Sequence, residues 1–284
     1  MTTLPPVTRF RTSRTGASLL LATLFLIRAP AALADDRPAA TPYRPSISSP
    51  AALSAPGWLE VEVGLDRTKA GRGERTDALP YSLKLAFSPD WGIRIDGDAA
   101  LRSHGGGSVT SGGGDTSVII KRRLELDERS AFGLEGGVSL PTAGRTLGSG
   151  SSDLLINGIF SSDLTSDWHV DLNLFATRFG ASTGDLSRVE SGWAAAASRS
   201  MSDRWQVAAE LSGTRRGGEG STSQLLFAAG YASSRSVVWD FGVSRGLTAE
   251  SADWSAFAGV TFVALKLFGA PPAPLLSRAP SPLR

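Results

Sequence analysis

From Arg204 to Thr214 the chain reads RWQVAAELSGT, with Trp205, Val207, Ala209 and Leu211 at one parity and Gln206, Glu210, Ser212 and Thr214 at the other. Side chains of a strand alternate between two faces, whereas a helical stripe returns every 3.6 residues, so this two-residue period predicts a strand with one apolar and one polar face. The pattern recurs along the chain. Leu59, Val61, Val63 and Leu65 oppose Glu60, Glu62 and Asp66; Ile93 and Ile95 oppose Arg94, Asp96 and Asp98; Trp168, Val170, Leu172 and Leu174 oppose His169, Asp171 and Asn173.

Read this way, residues 58–268 give twelve strands, at 58–66, 79–87, 91–101, 115–126, 131–140, 153–163, 167–177, 190–200, 204–214, 222–232, 237–246 and 254–268. Their connections alternate. Short turns such as Ser88-Pro-Asp90, Asp127-Glu-Arg-Ser130 and Met201-Ser-Asp203 take turns with longer Gly-, Ser- and Thr-rich loops at 67–78, 102–114, 141–152, 178–189, 215–221 and 247–253. The fold class this implies is all-β, an antiparallel transmembrane β-barrel with short periplasmic turns and longer external loops. Closure also removes the unpaired edges that strands of this length would otherwise expose.

Tryptophan placement follows the same frame. Odd-numbered strands, which start at the short-turn end, have Trp58, Trp91, Phe132, Trp168, Trp205 or Trp239 among their first residues, and even-numbered strands, which start from the long loops, carry Tyr81, Trp193 and Trp254. Rings with a polar edge are stabilised at headgroup level, so these residues are expected to form two interfacial belts. A soluble sandwich would use such rings as core filling, without confining them to strand ends.

The N-terminus carries an address. Arg9, Arg11 and Arg14 precede the apolar run Leu19–Ile27, and Ala32-Leu-Ala34 offers the small residues a signal peptidase needs. The run is shorter than the roughly 20 residues a spanning helix requires, so residues 1–34 read as a signal peptide for export. Cleavage there removes four of the 29 basic residues and none of the 27 acidic ones. The basic pI therefore belongs largely to the leader and implies no nucleic-acid partner. Residues 35–57, rich in Pro, Ala and Ser, read as a flexible periplasmic segment, and residues 269–284 as a Pro-rich tail. With no cysteine in the chain, neither a disulfide framework nor a cysteine-ligated metal site is available. No metal or cofactor is expected.

GGGDTSVIIKRRL (Gly112–Leu124), AFGLEGGVSLPTAGRTLGSGSSD (Ala131–Asp153), VVWDFGVSRGLT (Val237–Thr248) and DWSAFAGVTF (Asp253–Phe262) resemble the outer-membrane channel family of the MetA-pathway of phenol degradation type. The resemblance implies a bacterial outer-membrane location, lipid and the barrel-assembly machinery as partners, and passive passage of small, aromatic or weakly polar solutes. It brings no residue roles. The tail beyond Phe268 departs from the family's habit of ending on an aromatic residue.

Parity also predicts the lumen. Glu60, Glu62, Asp66, Lys84, Arg94, Asp96, Asp98, Lys121, Arg123, Glu125 and Glu135 should point inward from the first five strands, and His169 and Asp171 from the seventh. The later strands offer mainly Ala, Gly, Ser and Thr, with Gln206, Glu210, Gln224 and Asp240 as exceptions. One wall is densely charged and the other nearly smooth. Lys84 with Glu60, and Asp96 with Lys121, are the expected neutralising pairs, and long charged side chains are expected to fill part of the lumen. The alternatives are a barrel used as a scaffold for surface recognition, through its Gly-rich loops and Arg215-Arg216, and an outer-membrane enzyme. The second is disfavoured: the two histidines, His104 and His169, have no serine in a nucleophile-elbow pattern beside them. The stretch GGGSVTSGGGD lacks the Lys-Ser/Thr and following helix of a phosphate loop, and reads as a flexible external loop.

Overall fold

A computed structural model describes residues 36–143, 147–182 and 184–269. The expected leader and the tail from residue 270 onward lie outside the described residues. The strands are β1 (Trp58–Ala70), β2 (Glu74–Ala86), β3 (Trp91–Gly105), β4 (Ser108–Gly112), β5 (Thr116–Glu125), β6 (Ser130–Leu140), β7 (Asp153–Asp163), β8 (Trp168–Arg178), β9 (Val189–Ser200), β10 (Trp205–Arg216), β11 (Ser221–Ser234), β12 (Val237–Gly246) and β13 (Trp254–Lys266). All but β4 form a closed antiparallel barrel: β2 pairs with both β1 and β3, and β1 meets β13 at the seam between first and last strands. Twelve wall strands agree with the count read from the periodicity.

The thirteenth strand is a departure. The Gly-rich stretch expected to be a loose loop folds back as β4, pairing Leu101–Gly105 with Ser108–Gly112 around Gly106 and Gly107. Both turn residues have positive φ, 57° and 79°, which is the geometry a two-residue hairpin turn demands. The expected loop 67–78 is likewise mostly strand: Arg67 faces Asp77 and Ala70 faces Glu74 across β1 and β2. The extension has no apolar period because both of its faces are polar. It is held by the ladder itself and by ion pairs from Asp77 to Arg67 (2.5 Å) and Arg75 (3.3 Å). Pro80, which cannot donate to a ladder, sits at the register shift between β2 and β3.

Parity is kept around the wall. Leu134, Ile156, Leu174, Val207, Phe227 and Val243 are exposed on the outer face, Leu174 at 74 %, while Glu60, Lys84, Lys121, Glu135 and Glu210 are buried. A water-soluble domain has the opposite arrangement, and an apolar exterior around a polar interior is what lipid as solvent selects. At the short-turn end Trp58, Trp91, Trp168 and Trp205 begin β1, β3, β8 and β10, and Phe132 and Trp239 are the third residues of β6 and β12. Basic groups lie over three of these rings: Arg122 over Trp91 (5.4 Å), Arg199 over Trp168 (5.5 Å) and Lys266 over Trp58 (5.8 Å).

Candidate functional site

The lumen contains part of the chain. Residues 36–57, expected as a flexible periplasmic lead-in, run through the interior of the barrel, where Ser48, Ser49, Ala51 and Ser54 are buried. The composition explains the misreading. Pro38, Pro42, Pro45, Pro50 and Pro56 prevent a helix and remove backbone donors, so the segment resembles a solvated linker. Wall side chains supply the partners instead, as any buried backbone requires.

Glu60 accepts the Thr41 N–H at 2.9 Å, and Glu62 accepts those of Tyr43 and Arg44 at 2.7 and 3.2 Å. Across the barrel Glu210 accepts the N–H groups of Ile47 (3.3 Å) and Ser48 (2.8 Å) and a short bond from the Ser46 hydroxyl. Asn173 accepts the Ser49 N–H and donates to the Ser49 carbonyl, each at 3.0 Å, and Ser161 accepts the Ala51 N–H at 2.7 Å. Lys84 and Lys121 donate to the carbonyls of Thr41 and Pro50. An apolar contact of Ala51 with Ala131 and Ile159 completes the seat.

Tyr43 is the hub of this plug. The ammonium groups of Lys84 and Lys121 lie 4.1 and 4.2 Å from its ring centroid and the Arg94 guanidinium 5.3 Å, while its hydroxyl donates to the Ala52 carbonyl at 2.6 Å. A ring face with its negative quadrupole is a favourable neighbour for cations held out of water. The same cations are paired on the wall. Lys84 contacts Glu60 at 2.5 Å and Glu62 more closely; Lys121 pairs with Glu135 at 3.3 Å, and Arg94 with Asp96 at 2.9 Å and Glu135 at 3.7 Å. The Lys84–Glu60 pair was expected. Asp96 takes Arg94, two residues along its own strand, rather than Lys121, because Lys121 faces Glu135 in the β5–β6 register.

Of the other inward candidates, Asp98 lies half-buried toward the long-loop end, and Arg123 with Glu125 forms a 2.9 Å pair at the short-turn rim, Glu125 being largely exposed. His169 bridges Asp163 (2.6 Å) and Asp171 (3.1 Å), and Asp171 takes the Ser161 hydroxyl. The serine thus bonds an aspartate and not the imidazole, which is not the arrangement of a serine nucleophile with its base. Trp193, Trp254 and the short-turn aromatics have outward parity; Tyr81 is also outward and covers Gly97. Among the residues that parity did not single out are the plug's own Tyr43 and Arg44, and Asn157, which donates to Glu135 and Asn173 at 3.0 Å. Glu210 was visible as one of two inward carboxylates, with Asp240, on the otherwise smooth wall.

Among the cavities that border the plug, two meet at it. One, of about 430 Å³, opens toward the long loops among Pro80, Asp98, Asp115 and Ser117. The other, of about 290 Å³, lies along the smooth wall against Ala208, Ala228, Gly230 and Val238 toward the short turns. Tyr43, Arg44 and Ser46 line both and divide them. Long side chains were expected to fill part of the lumen; here much of the filling is the N-terminal segment that those side chains hold.

No family model matches the sequence, and no curated protein is similar to it by sequence. Solved structures do match. A COG4313 outer membrane channel from Pseudomonas putida F1 superposes with a TM-score of 0.60 at 15 % identity, over 75 % of this chain and 97 % of that one. The NanC porin gives 0.53 at 12 % identity (72 % and 100 % of the two chains), and the KdgM porin 0.50 at 12 % (72 % and 99 %). The chain thus has the closed twelve-stranded fold of outer-membrane channels, spanning nearly the full length of each.

Proposed function

We propose that the protein is an outer-membrane channel for small solutes, closed at rest by its own N-terminal segment. One observation carries the reading: Tyr43, Arg44 and Ser46 are the partition between two lumen cavities that reach toward opposite ends of the barrel. Around them the wall presents hydrogen-bonding groups to a peptide, and an apolar exterior suits the barrel to lipid. The likeness in fold to outer-membrane channels and porins supports the class, and the MetA-pathway resemblance of Gly112–Leu124 and Ala131–Asp153 supports weakly polar or aromatic solutes. The smooth wall of Ala208, Ala228 and Gly230 is the natural side for such solutes to pass. In this reading Glu60, Glu62, Lys84, Lys121 and Glu135 hold the plug and line the path once it moves, while the aromatic girdles sit at the membrane interfaces. The short turns then face the periplasm, into which the export signal delivers the chain.

Conductance in a planar bilayer tests the proposal. The native protein is expected to pass little current, and the Glu210→Gln, Asn173→Ala double variant, which loses the anchors of Ile47 to Ser49, is expected to conduct at least several-fold more. Porin-like conductance in the native protein would dismiss the plug. A folded variant as silent as the parent would dismiss the channel.

A further inference from the structure

Arg44 sits in a notch built for its head group. Gly64 on β1, Gly259 on β13 and Asp240 on β12 are register neighbours across three strands. A methyl group on Gly64 would overlap the Arg44 guanidinium, and one on Gly259 would lie 2.9 Å from Arg44 Nε and 2.7 Å from Asp240 Oδ2. The two missing side chains are thus the space the planar head occupies. Arg44 Nη2 donates to Asp66 Oδ1 at 2.7 Å, whereas Asp240 Oδ1 lies 3.7 Å from Nε. Asp240 is only 2 % exposed, and neither of its carboxylate oxygens has a hydrogen-bond partner. A buried carboxylate in that position is under-satisfied and favours a donor cation. One guanidinium serves two acids here, as one ammonium, Lys84, serves Glu60 and Glu62 nearby. The region therefore holds more negative than positive charge, and withdrawal of Arg44 with the plug would leave two carboxylates unpaired.

We propose that the notch between Gly64 and Gly259 is a binding site for a solute's guanidinium group, filled at rest by the chain's own Arg44. A planar, delocalised cation matches a flat slot with carboxylates on two different strands better than a compact ammonium does. The adjoining cavity of about 290 Å³, lined by Asp240, Gly230 and Val238, has room for a small apolar body attached to that head. Arg44 then acts as a tethered competitor: a guanidinium solute takes its place on Asp66 and Asp240, and the plug loses one anchor as the solute gains a site. The inference adds a cationic class of solute beside the weakly polar ones assigned to the smooth wall and rests on the channel reading for its physiological meaning, but occupancy of the notch can be measured whether or not the barrel conducts.

The experiment is calorimetric titration of detergent-solubilised full-length protein with methylguanidinium, using N-methylurea as its neutral isostere. Each variant is first required to show the mobility of a closed barrel on an unboiled gel. Arg44→Ala empties the notch, and Arg44→Gln, which keeps part of the stem, is measured beside it in case the alanine variant fails to fold. Either variant is expected to bind methylguanidinium at least ten-fold more tightly than the native protein, to ignore N-methylurea, and to lose the gain when Asp240→Asn is added. Equal binding of the two probes, no gain over native protein, or a gain that survives Asp240→Asn would each overturn the site. A folded Arg44→Ala barrel that binds methylguanidinium while no variant ever conducts would keep the site and remove the channel.

Discussion

Leu211 and Glu210 are adjacent residues with opposite duties. Leu211 is 40 % exposed on the outer face, and Glu210 is buried against Ser46, Ile47 and Ser48. A charge placed on the lipid side near mid-membrane costs roughly 2–4 kcal/mol, whereas an inward change leaves the wall's exterior untouched. Leu211→Arg is therefore expected to lower the fraction of chain recovered as folded barrel, and Glu210→Gln to fold normally while loosening the plug, both read by heat-modifiable mobility and by proteolysis of residues 36–57. This facing was legible in the sequence from parity alone. The duty of Glu210 was not, because its partners lie 162 to 164 residues away and come from a segment without any period. The partner of Asp96 was misassigned for a related reason: parity says which side chains share the lumen, but the register between strands decides which of them meet.

Among the elements, the short turns are stitched by their own side chains. Asp127 accepts the N–H groups of Arg129 and Ser130, both at 2.8 Å, and the bond from the Arg129 amide, with help from that of Ser130, holds its carboxyl below the usual aspartate range. A depressed carboxyl contributes stability that is full above its ordinary value of 3.8 and fades as pH falls through the lower folded value. Protection of the Arg129 amide from hydrogen exchange should thus hold at neutral pH and drop only below about pH 4, and Asp127→Asn should flatten that dependence. Protection that rises on acidification would contradict the assignment. Wall strands were legible because lipid outside and polar groups inside write a period of two. The β1–β2 extension and β4 were not, because beyond the apolar band both faces are polar, and ladder bonds with polar side-chain contacts such as those of Asp77 and of Arg75 with His104 hold the pairing.

At the scale of the whole molecule, an apolar exterior and a closed hydrogen-bond ladder predict outer-membrane fractionation and faster migration unboiled than boiled, since closed barrels resist detergent unfolding. A protein found in the soluble fraction with one mobility would refute the membrane reading. The plug leaves the wall at Gly57, whose N–H bonds the Ala86 carbonyl at 2.8 Å and whose carbonyl accepts the Leu267 N–H at 2.7 Å, so it is rooted where the ends of β1, β2 and β13 come together. That root has a consequence for biogenesis. The segment is tied to the first strand, its binding groups are distributed over β1, β2, β5, β7, β8 and β10, and the last strand closes on the first. A chain assembled in order can therefore wrap its wall around a filling already attached to it, and the lumen acids and lysines need never face one another unaccompanied.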